Sequence, residues 1–485
     1  MQPVKIKDIV TAVEGELLCG DLEEEITNVS INSREIQPGT LFVPIIGEKV
    51  DAHKFISMAL QDGAVATFTS KHGKENCKEF CQGKAYIRVE DTLAALQKLG
   101  AYYRSLFSLP VIGITGSVGK TTTKEMIAAA LETKKRVLKT AGNMNSQIGL
   151  PLMMFQIEPE HEVAVIEMGM SEVGEMERLC AIARPEIAVM TNIGVSHIGQ
   201  LGSRENIRKE KLNIINHFGE KDRFEPTLYV QGEDDMLCEL LQDNVEDVDM
   251  DAPTRQAITH TKIVAFGQKE SDDYYAKDIR TKGEESHFTY VSESGEEDVV
   301  LSVLGSHNVN NAVVALAVAE QFGIAPCDAK EGLKEYRPIA MRGQTYEKNG
   351  ITIVDDTYNA SPDSMRSGAN VLLEMEKVDR RILILADVLE LGEVSHKCHY
   401  DVGTYVAEVE KQGKKIDMVL TFGEEAKAIC EGVKDRTKDI FAQNFSKKEE
   451  LIAYVKEHVH SGDGILVKGS RGMHMEEVVD ALKEM

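Results

Sequence analysis

The run Thr115, Gly116, Ser117, Val118, Gly119, Lys120, Thr121, Thr122 follows the apolar "PVIGIT" and leads into the helix-like "KEMIAAALE". Strand, glycines, lysine, hydroxyls and helix in this order are suited to holding phosphate. Glycine tolerates the torsions that turn consecutive N–H groups inward, Lys120 adds a cation, and the following helix adds its positive amino end. Thr121 offers a hydroxyl to a magnesium ion. The spacing G-x-x-x-x-G-K-[ST] calls for glycine at Ile114, whereas the sequence has Gly113, so the motif is a close variant. A nucleotide is the expected ligand, and an ordinary Gly-Lys-Thr turn is the bland alternative.

Other polar groups stand where similar chemistry can use them. "VAVIEMG" ends an apolar run on Glu167, and "AVMTNIGVSHIGQLG" ends another on Asn192, with His197 beyond it. At neighbouring strand ends of a parallel sheet, a carboxylate and an imidazole share the crevice with the phosphate loop. Both can bind a hard cation or orient water. Taken singly, Glu167 reads equally as a cap and His197 as a satisfied loop histidine. "GSHNVNNAVVALAVAE" places His307, Asn308 and Asn311 at a helix start, where one asparagine suffices as a cap and further amides can bind a base or ribose. "YRPIAMRGQ" supplies Arg342, and "IVDDTYNASPDSM" supplies Asp355, Asp356 and Asn359 at a strand end, with a solvated loop as the rival reading.

The elements that must position these groups follow from pattern. At 485 residues the chain exceeds one ordinary core. Residues 1 to about 107 read as a small α/β unit, with strands around Leu41–Val43 and in "AVATFTS" and a helix from Thr92 to Phe107. From 108 to about 330, "PVIGIT", "VAVIEM" and "IAVMTN" alternate with helical patterns, as in a parallel sheet with crossover helices; "HFTYVSES" and "DVVLSVLGS" read as antiparallel strands. "EDVDMDAP" reads as a solvated acidic loop. From 331 to 485, "ITIVDD", "ILILAD", "DMVLTFG", "DIFAQ" and "GILVKGS" give a second doubly wound unit. The fold class is therefore α/β in three domains: a small N-terminal unit, a central P-loop parallel-sheet unit and a C-terminal Rossmann-like unit.

Composition removes other classes. A formal charge of −25 disfavours a nucleic-acid surface. No stretch reaches membrane-spanning length and the start lacks a signal pattern, so a cytoplasmic protein without membrane insertion is expected. The eight cysteines are scattered; Cys77 and Cys81 lack a second pair to complete a zinc site, and free thiols are expected. In "HKCHY", His396, Cys398 and His399 read as surface or capping residues before metal ligands.

The motifs "TGSVGKTTTKEM", "NMNSQIGLPL", "EMGM", "NIGVSHIGQLGS" with "KEKLNII", "GSHNVNNAVVALA", "MRGQ" and "DDTYNASPDSM" run in order through the chain and together resemble the Mur ligases of bacterial cell-wall synthesis. The resemblance implies a three-domain ATP-dependent amide ligase, monomeric, that works through an acyl phosphate. Within the family, the absence of an Asp-Asn-Pro-Arg string and the presence of "DDTYNASPDSM" resemble the dipeptide-adding branch. The implied substrates are UDP-N-acetylmuramoyl-tripeptide and D-alanyl-D-alanine.

By the same resemblance, Ser33 and Arg34 in "NSREIQPGTLFVP" meet the nucleotide sugar, with "DAHKF" near them. Thr115 to Thr122 bind ATP phosphates; Thr121 and Glu167 reach magnesium, and His197 a second magnesium. Asn308, Asn311, Arg342 and Asp356 fall on nucleotide positions, and Lys120, His197, Lys211 and Arg342 on catalytic ones. Lys211 matches a lysine that is carbamylated in the family, with Lys209 as the neighbouring alternative. Asn143, Asn145, Tyr358 and Asn359 lie in matched motifs and are expected at the substrates, and Ser470 and Arg471 in "VKGSRGMHME" at the dipeptide. Two rivals remain: a folylpolyglutamate-synthase-like ligase, which gives the first block no purpose, and a non-catalytic P-loop regulatory binder.

Overall fold

A computed structural model describes residues 1–74, 83–218, 224–242 and 245–485, which leaves Cys77 and Cys81 outside the described residues. Besides a two-stranded ladder of Val4–Lys5 with Glu25–Ile26, three larger sheets organise the described residues, in sequence order.

The first has five strands, ordered Glu16–Cys19, Ala85–Arg88, Ala66–Thr69, Thr40–Phe42 and Asn28–Ser30. All but the first pair run parallel. The loop bearing Ser33 and Arg34 leaves the carboxyl end of Asn28–Ser30. Asp91 caps the expected helix, observed at Thr92–Ser105, by accepting from Ala94 N. That helix buries Leu96, Leu99 and Tyr103.

The central sheet has nine strands, in the order Gly295–Leu301, Glu285–Ser292, Tyr274–Lys282, Lys262–Gly267, Thr227–Gln231, Ile187–Met190, Val111–Thr115, Val163–Glu167 and Val137–Lys139. The two pairs at the Gly295 end are antiparallel and the rest parallel. Four of these strands, Val137–Lys139, Thr227–Gln231, Lys262–Gly267 and Tyr274–Lys282, are additions to those expected. The register matters most. Glu167 pairs with Ile114 and Met190 with Thr115, so three carboxyl ends come out level and the phosphate loop, Glu167 and the Asn192 turn share one edge. Helix Ser306–Gln321 is apolar nearly all round because it lies within the core rather than upon it.

The last sheet has six strands, in the order Gln344–Lys348, Ile351–Asp355, Asp463–Lys468, Arg380–Ala386, Met418–Phe422 and Phe441–Phe445. Its five parallel strands are those expected; the antiparallel edge strand Gln344–Lys348 is an addition. Asp355 pairs with Val467, which sets Asp356 beside Lys468.

Two expectations need correction. "EDVDMDAP" is no free loop: Val248 and Met250 are buried in the core, and Ala252 and Pro253 open a helix that runs to Ile258. Cys180, Cys238, Cys327, Cys398 and Cys430 are free, but Cys19 is disulfide-bonded. His399 is buried and structural: its Nε2 accepts from Val388 N at 2.9 Å. Among the described residues no helix is long and apolar enough to cross a membrane.

Candidate active site

A cavity of about 920 Å³ opens between the carboxyl edges of the nine- and six-stranded sheets. Its wall includes Ser117 to Thr122, Asn143, Asn145, Glu167, His197, Asn308, Asn311, Arg342, Asp356, Tyr358 and Asn359, which lie far apart in the second and third blocks of the sequence.

The phosphate loop is built from close backbone approaches. Gly116 has φ +145° and Gly119 has φ +88°. A Cβ at Gly116 would stand 1.9 Å from Thr191 Oγ1, so this position admits only glycine. Asn192 Oδ1 accepts from Ser117 N at 3.1 Å and Val118 N at 2.9 Å and thereby holds the loop open. The helix begins at Lys120, so the N–H groups of its first turn lack intrahelical partners and remain for an anion. Gly113 serves packing instead: a Cβ there would meet Met168 Sδ at 2.9 Å, inside the core.

Glu167 is fixed from three sides. Thr121 Oγ1 donates to its Oε2 at 2.9 Å, Asn145 Nδ2 donates to its Oε1 at 2.7 Å, and its own N–H donates to Thr140 Oγ1 at 2.8 Å. A hydroxyl, a carboxylate and an adjacent anion cradle suit a hard cation shared with phosphate. Among the described residues no three His, Cys, Asp or Glu side chains converge into a finished metal site. An ion held by Thr121 and Glu167 would complete its shell with phosphate oxygens and water.

Lys120 Nζ donates to Gly116 O at 2.8 Å, and Lys211 Nζ donates to the same oxygen at 3.2 Å. The two nitrogens are thus at most about 6 Å apart, where like charges repel by roughly 3 kcal/mol at an effective dielectric of about 20. Burial, then Lys120, push the Lys211 amine well below its usual range; burial, then Arg342, lower Lys120. Lys209 points elsewhere, as residues two apart on a helix do. It pairs with Asp251 at 3.1 Å and Asp249 at 3.5 Å, on the acidic stretch. Geometry therefore brings Lys211, and not Lys209, to the phosphate loop.

The six-stranded unit adds a second wall. The Arg342 guanidinium stacks 3.9 Å from the Tyr358 ring centroid. Lys468 Nζ donates to Asp356 Oδ2 at 2.6 Å and to Asn359 O at 3.0 Å. From the central unit, Asn311 Oδ1 accepts from Thr123 Oγ1 at 3.0 Å, which ties the asparagine helix to the P-loop helix. Burial lowers the His307 imidazole.

Not every expected residue reaches this cavity. Ser470 is buried, with its Oγ accepting from Leu389 N at 2.9 Å, and Arg471 pairs with Glu476 at 3.2 Å; neither lines the wall. Ser33 and Arg34 stand apart as well, beside a second cavity of about 200 Å³ lined by Ser30, Asn32, Glu35, Met144 and Phe155. Reading the sequence missed Tyr336, which bonds Thr122 and whose hydroxyl burial pushes up to about 12, and Glu390, whose carboxylate lies 2.8 Å from His197 Nδ1. Tyr336 opens the "YRPIAMRGQ" string, but nothing in its spacing singles it out, and Glu390 stands in no quoted motif.

A glycine-built phosphate cradle, a threonine-carboxylate pair beside it and a facing doubly wound unit that brings an arginine define the class: P-loop enzymes whose site is shared between two α/β units. Family models named Mur ligase family catalytic domain, Mur ligase middle domain and Mur ligase glutamate ligase domain match residues 25–104, 114–319 and 341–471. The chain belongs to the Mur ligase family. It is 36% identical over 481 residues to UDP-N-acetylmuramoyl-tripeptide–D-alanyl-D-alanine ligase of Bacillus subtilis, covering 99% of this chain and 98% of that one. A crystal structure of MurF from Acinetobacter baumannii superposes over all of both chains with a TM-score of 0.87 at 30% identity. The MurF ligase of Thermotoga maritima in complex with ADP matches with a TM-score of 0.79 at 29% identity, over 94% of this chain and 97% of that one.

Proposed function

We propose that this chain is an ATP-dependent amide ligase that joins D-alanyl-D-alanine to UDP-N-acetylmuramoyl-tripeptide, yielding the peptidoglycan pentapeptide precursor, ADP and phosphate in the cytoplasm. The observation that carries this reading is the loop Asn143-Met144-Asn145. Met144 lines the small cavity beside Ser33 and Arg34, while Asn143 and Asn145 line the large one at the phosphate loop. A long substrate anchored at the first sheet thus has a path to the nucleotide. A folylpolyglutamate-type reading leaves that first sheet without a role.

The division of labour follows. Residues 1–107 hold the UDP-sugar at Ser33 and Arg34, 108–330 hold ATP from Thr115 to Thr122, and 331–485 bring Tyr358 and Asn359 to the dipeptide. Asn308 and Asn311 offer amides to base or ribose, and Arg342 and Asp356 join them at the nucleotide.

Joining a carboxylate to an amine directly is unfavourable in water, so the tripeptide carboxylate first takes the γ-phosphoryl group of ATP. Lys120 and Arg342 face the charge that spreads during this transfer. Magnesium, held by Thr121, Glu167, His197 and a carbamylated Lys211, would neutralise phosphate oxygens. The dipeptide amine then attacks the acyl phosphate carbon, the C–N bond forms, phosphate leaves, and the amine loses its proton. Walls from two units exclude the water that would hydrolyse the acyl phosphate.

The carbamate has a physical rationale. Burial beside Lys120 favours the neutral amine, which is the form that attacks carbon dioxide, and loss of one proton from the adduct leaves an anion. Repulsion with Lys120 becomes attraction, and the site gains a second acidic ligand beside Glu167.

The test is phosphate release from ATP across a panel of UDP-muramoyl peptides, with and without D-alanyl-D-alanine. Release is expected only when both substrates are present. Release indifferent to both would sink the reading in favour of a P-loop switch.

A further inference from the structure

The turn Gly194–Gly199, which carries His197, follows a strand of the nine-stranded sheet but packs on the other unit. Val195 and Ile198 rest on the C-terminal core that includes Val388 and Leu391. Gly199 N donates to the Glu390 carbonyl at 3.2 Å, and a Cβ at Gly199 would stand 2.8 Å from that oxygen. The Glu390 carboxylate lies 2.8 Å from His197 Nδ1, which has no other partner. At the near end of the turn, a Cβ at Gly194 would meet Asp363 Oδ2 at 2.3 Å.

Both partners at this seam are strained. His197 has φ +64° and Glu390 φ +69°, left-handed conformations that are costly for a non-glycine residue and persist only where neighbours enforce them. On the Glu390 side the enforcement is visible. Val388 N donates to His399 Nε2 at 2.9 Å, Leu389 N to Ser470 Oγ at 2.9 Å, and Ala426 N to Asp387 Oδ1 at 2.7 Å. On the His197 side, much of it comes from the loop 387–392 itself. Without that loop, Val195 loses cover, Ile198 keeps only its contact with the central core, and the turn loses the Gly199 bond.

We propose that Glu390 is a positioning residue, and that docking of the 387–392 loop on the Gly194–Gly199 turn sets the His197 imidazole for the phosphoryl site. This rests on the functional reading above for what His197 serves. Closure of the C-terminal unit then assembles the central unit's own site as well as covering it. The loop is built on one unit and the imidazole on the other, so neither is competent alone.

The experiment compares the full-length wild type with Gly199→Ala, Glu390→Gln and Glu390→Asp. Gly199 is outside the left-handed region, so alanine is tolerated by its own backbone and collides only with the docked loop. Hydrogen–deuterium exchange of the segment 192–203, measured without any ligand, should become several-fold faster in Gly199→Ala. With ATP and both substrates, kcat should fall roughly 10- to 100-fold in Gly199→Ala and Glu390→Gln, with KM for ATP little changed, and recover in part in Glu390→Asp. Unchanged exchange in Gly199→Ala overturns the latch whatever the rate does. Faster exchange with undiminished kcat overturns the positioning role by removing His197 from the reaction, and so separates failure of the functional reading from failure of the seam.

Discussion

The carboxyl edges of the nine-stranded and six-stranded sheets obey one topological rule and do different chemistry with it. The first is built on close backbone packing: Thr191 and Asn192 brace the loop from Gly116 to Gly119, and Thr121 and Asn145 hold Glu167. The second presents long side chains that hold one another, Arg342 on Tyr358 and Lys468 on Asp356. A rigid edge can be precise about an anion that is always the same. A jointed edge can follow groups that change during a reaction.

Breaking the rigid edge should cost the most. Lys120→Ala is expected to lower phosphate release roughly 1,000-fold or more, because no other cation is built into the loop. Calorimetry should show the UDP-sugar binding nearly as before, since Ser33 and Arg34 line no part of this cavity. Survival of turnover would mean that the hollow is not where phosphate sits.

A sharper probe uses two lysines of one helix. Lys211→Ala should lose about 100-fold in kcat and regain part of it in acetate, which supplies a carboxylate where the carbamate stood. Lys209→Ala should stay within about twofold, because exposed ion pairs of its kind contribute about 0–1 kcal/mol. Full activity of Lys211→Ala without rescue would exclude the carbamate. On the jointed edge the expected cost is smaller: Arg342→Lys keeps the charge but loses the flat stack on Tyr358, and kcat should fall about tenfold.

This contrast also sorts what could be read from sequence. The rigid edge was legible because its function is its local conformation: a glycine needed at φ +88° and a lysine next to it are sequence neighbours. The strands of the six-stranded sheet were legible as apolar runs, but Gln344–Lys348 was not, since an edge strand half in solvent shows no such run. Its clue was the turn Asn349-Gly350, with φ +50° and +78°, a two-residue hairpin signal. Tyr274–Lys282 escaped for a related reason: only Ala276 is buried along it, and its ladder slips between Lys277 and Arg280. The choice between Lys209 and Lys211 depended on which side of a helix faces inward, and the deciding groups, Asp249 and Asp251, lie some 40 residues on. Glu390 was beyond reach because its meaning depends on how two separately folded units dock.

The smallest effect is expected where sequence pattern promised more than geometry delivers. Arg471 follows a strand end directly, which is where ligand contacts gather in such sheets. In the fold its side chain is 53% exposed, 3.2 Å from Glu476 and touching Met341 Sδ, off the cavity wall. Arg471→Ala should therefore change KM for the dipeptide by less than about threefold, the scale of an exposed ion pair. Its neighbour gives the contrast. Ser470→Ala removes the acceptor that holds Leu389 in the loop carrying Glu390, at a cost of about 1 kcal/mol in loop order. That cost should appear in kcat rather than in KM for the dipeptide. A large dipeptide KM effect at Arg471 would extend the jointed edge by one residue and require its side chain to swing inward when the substrate binds.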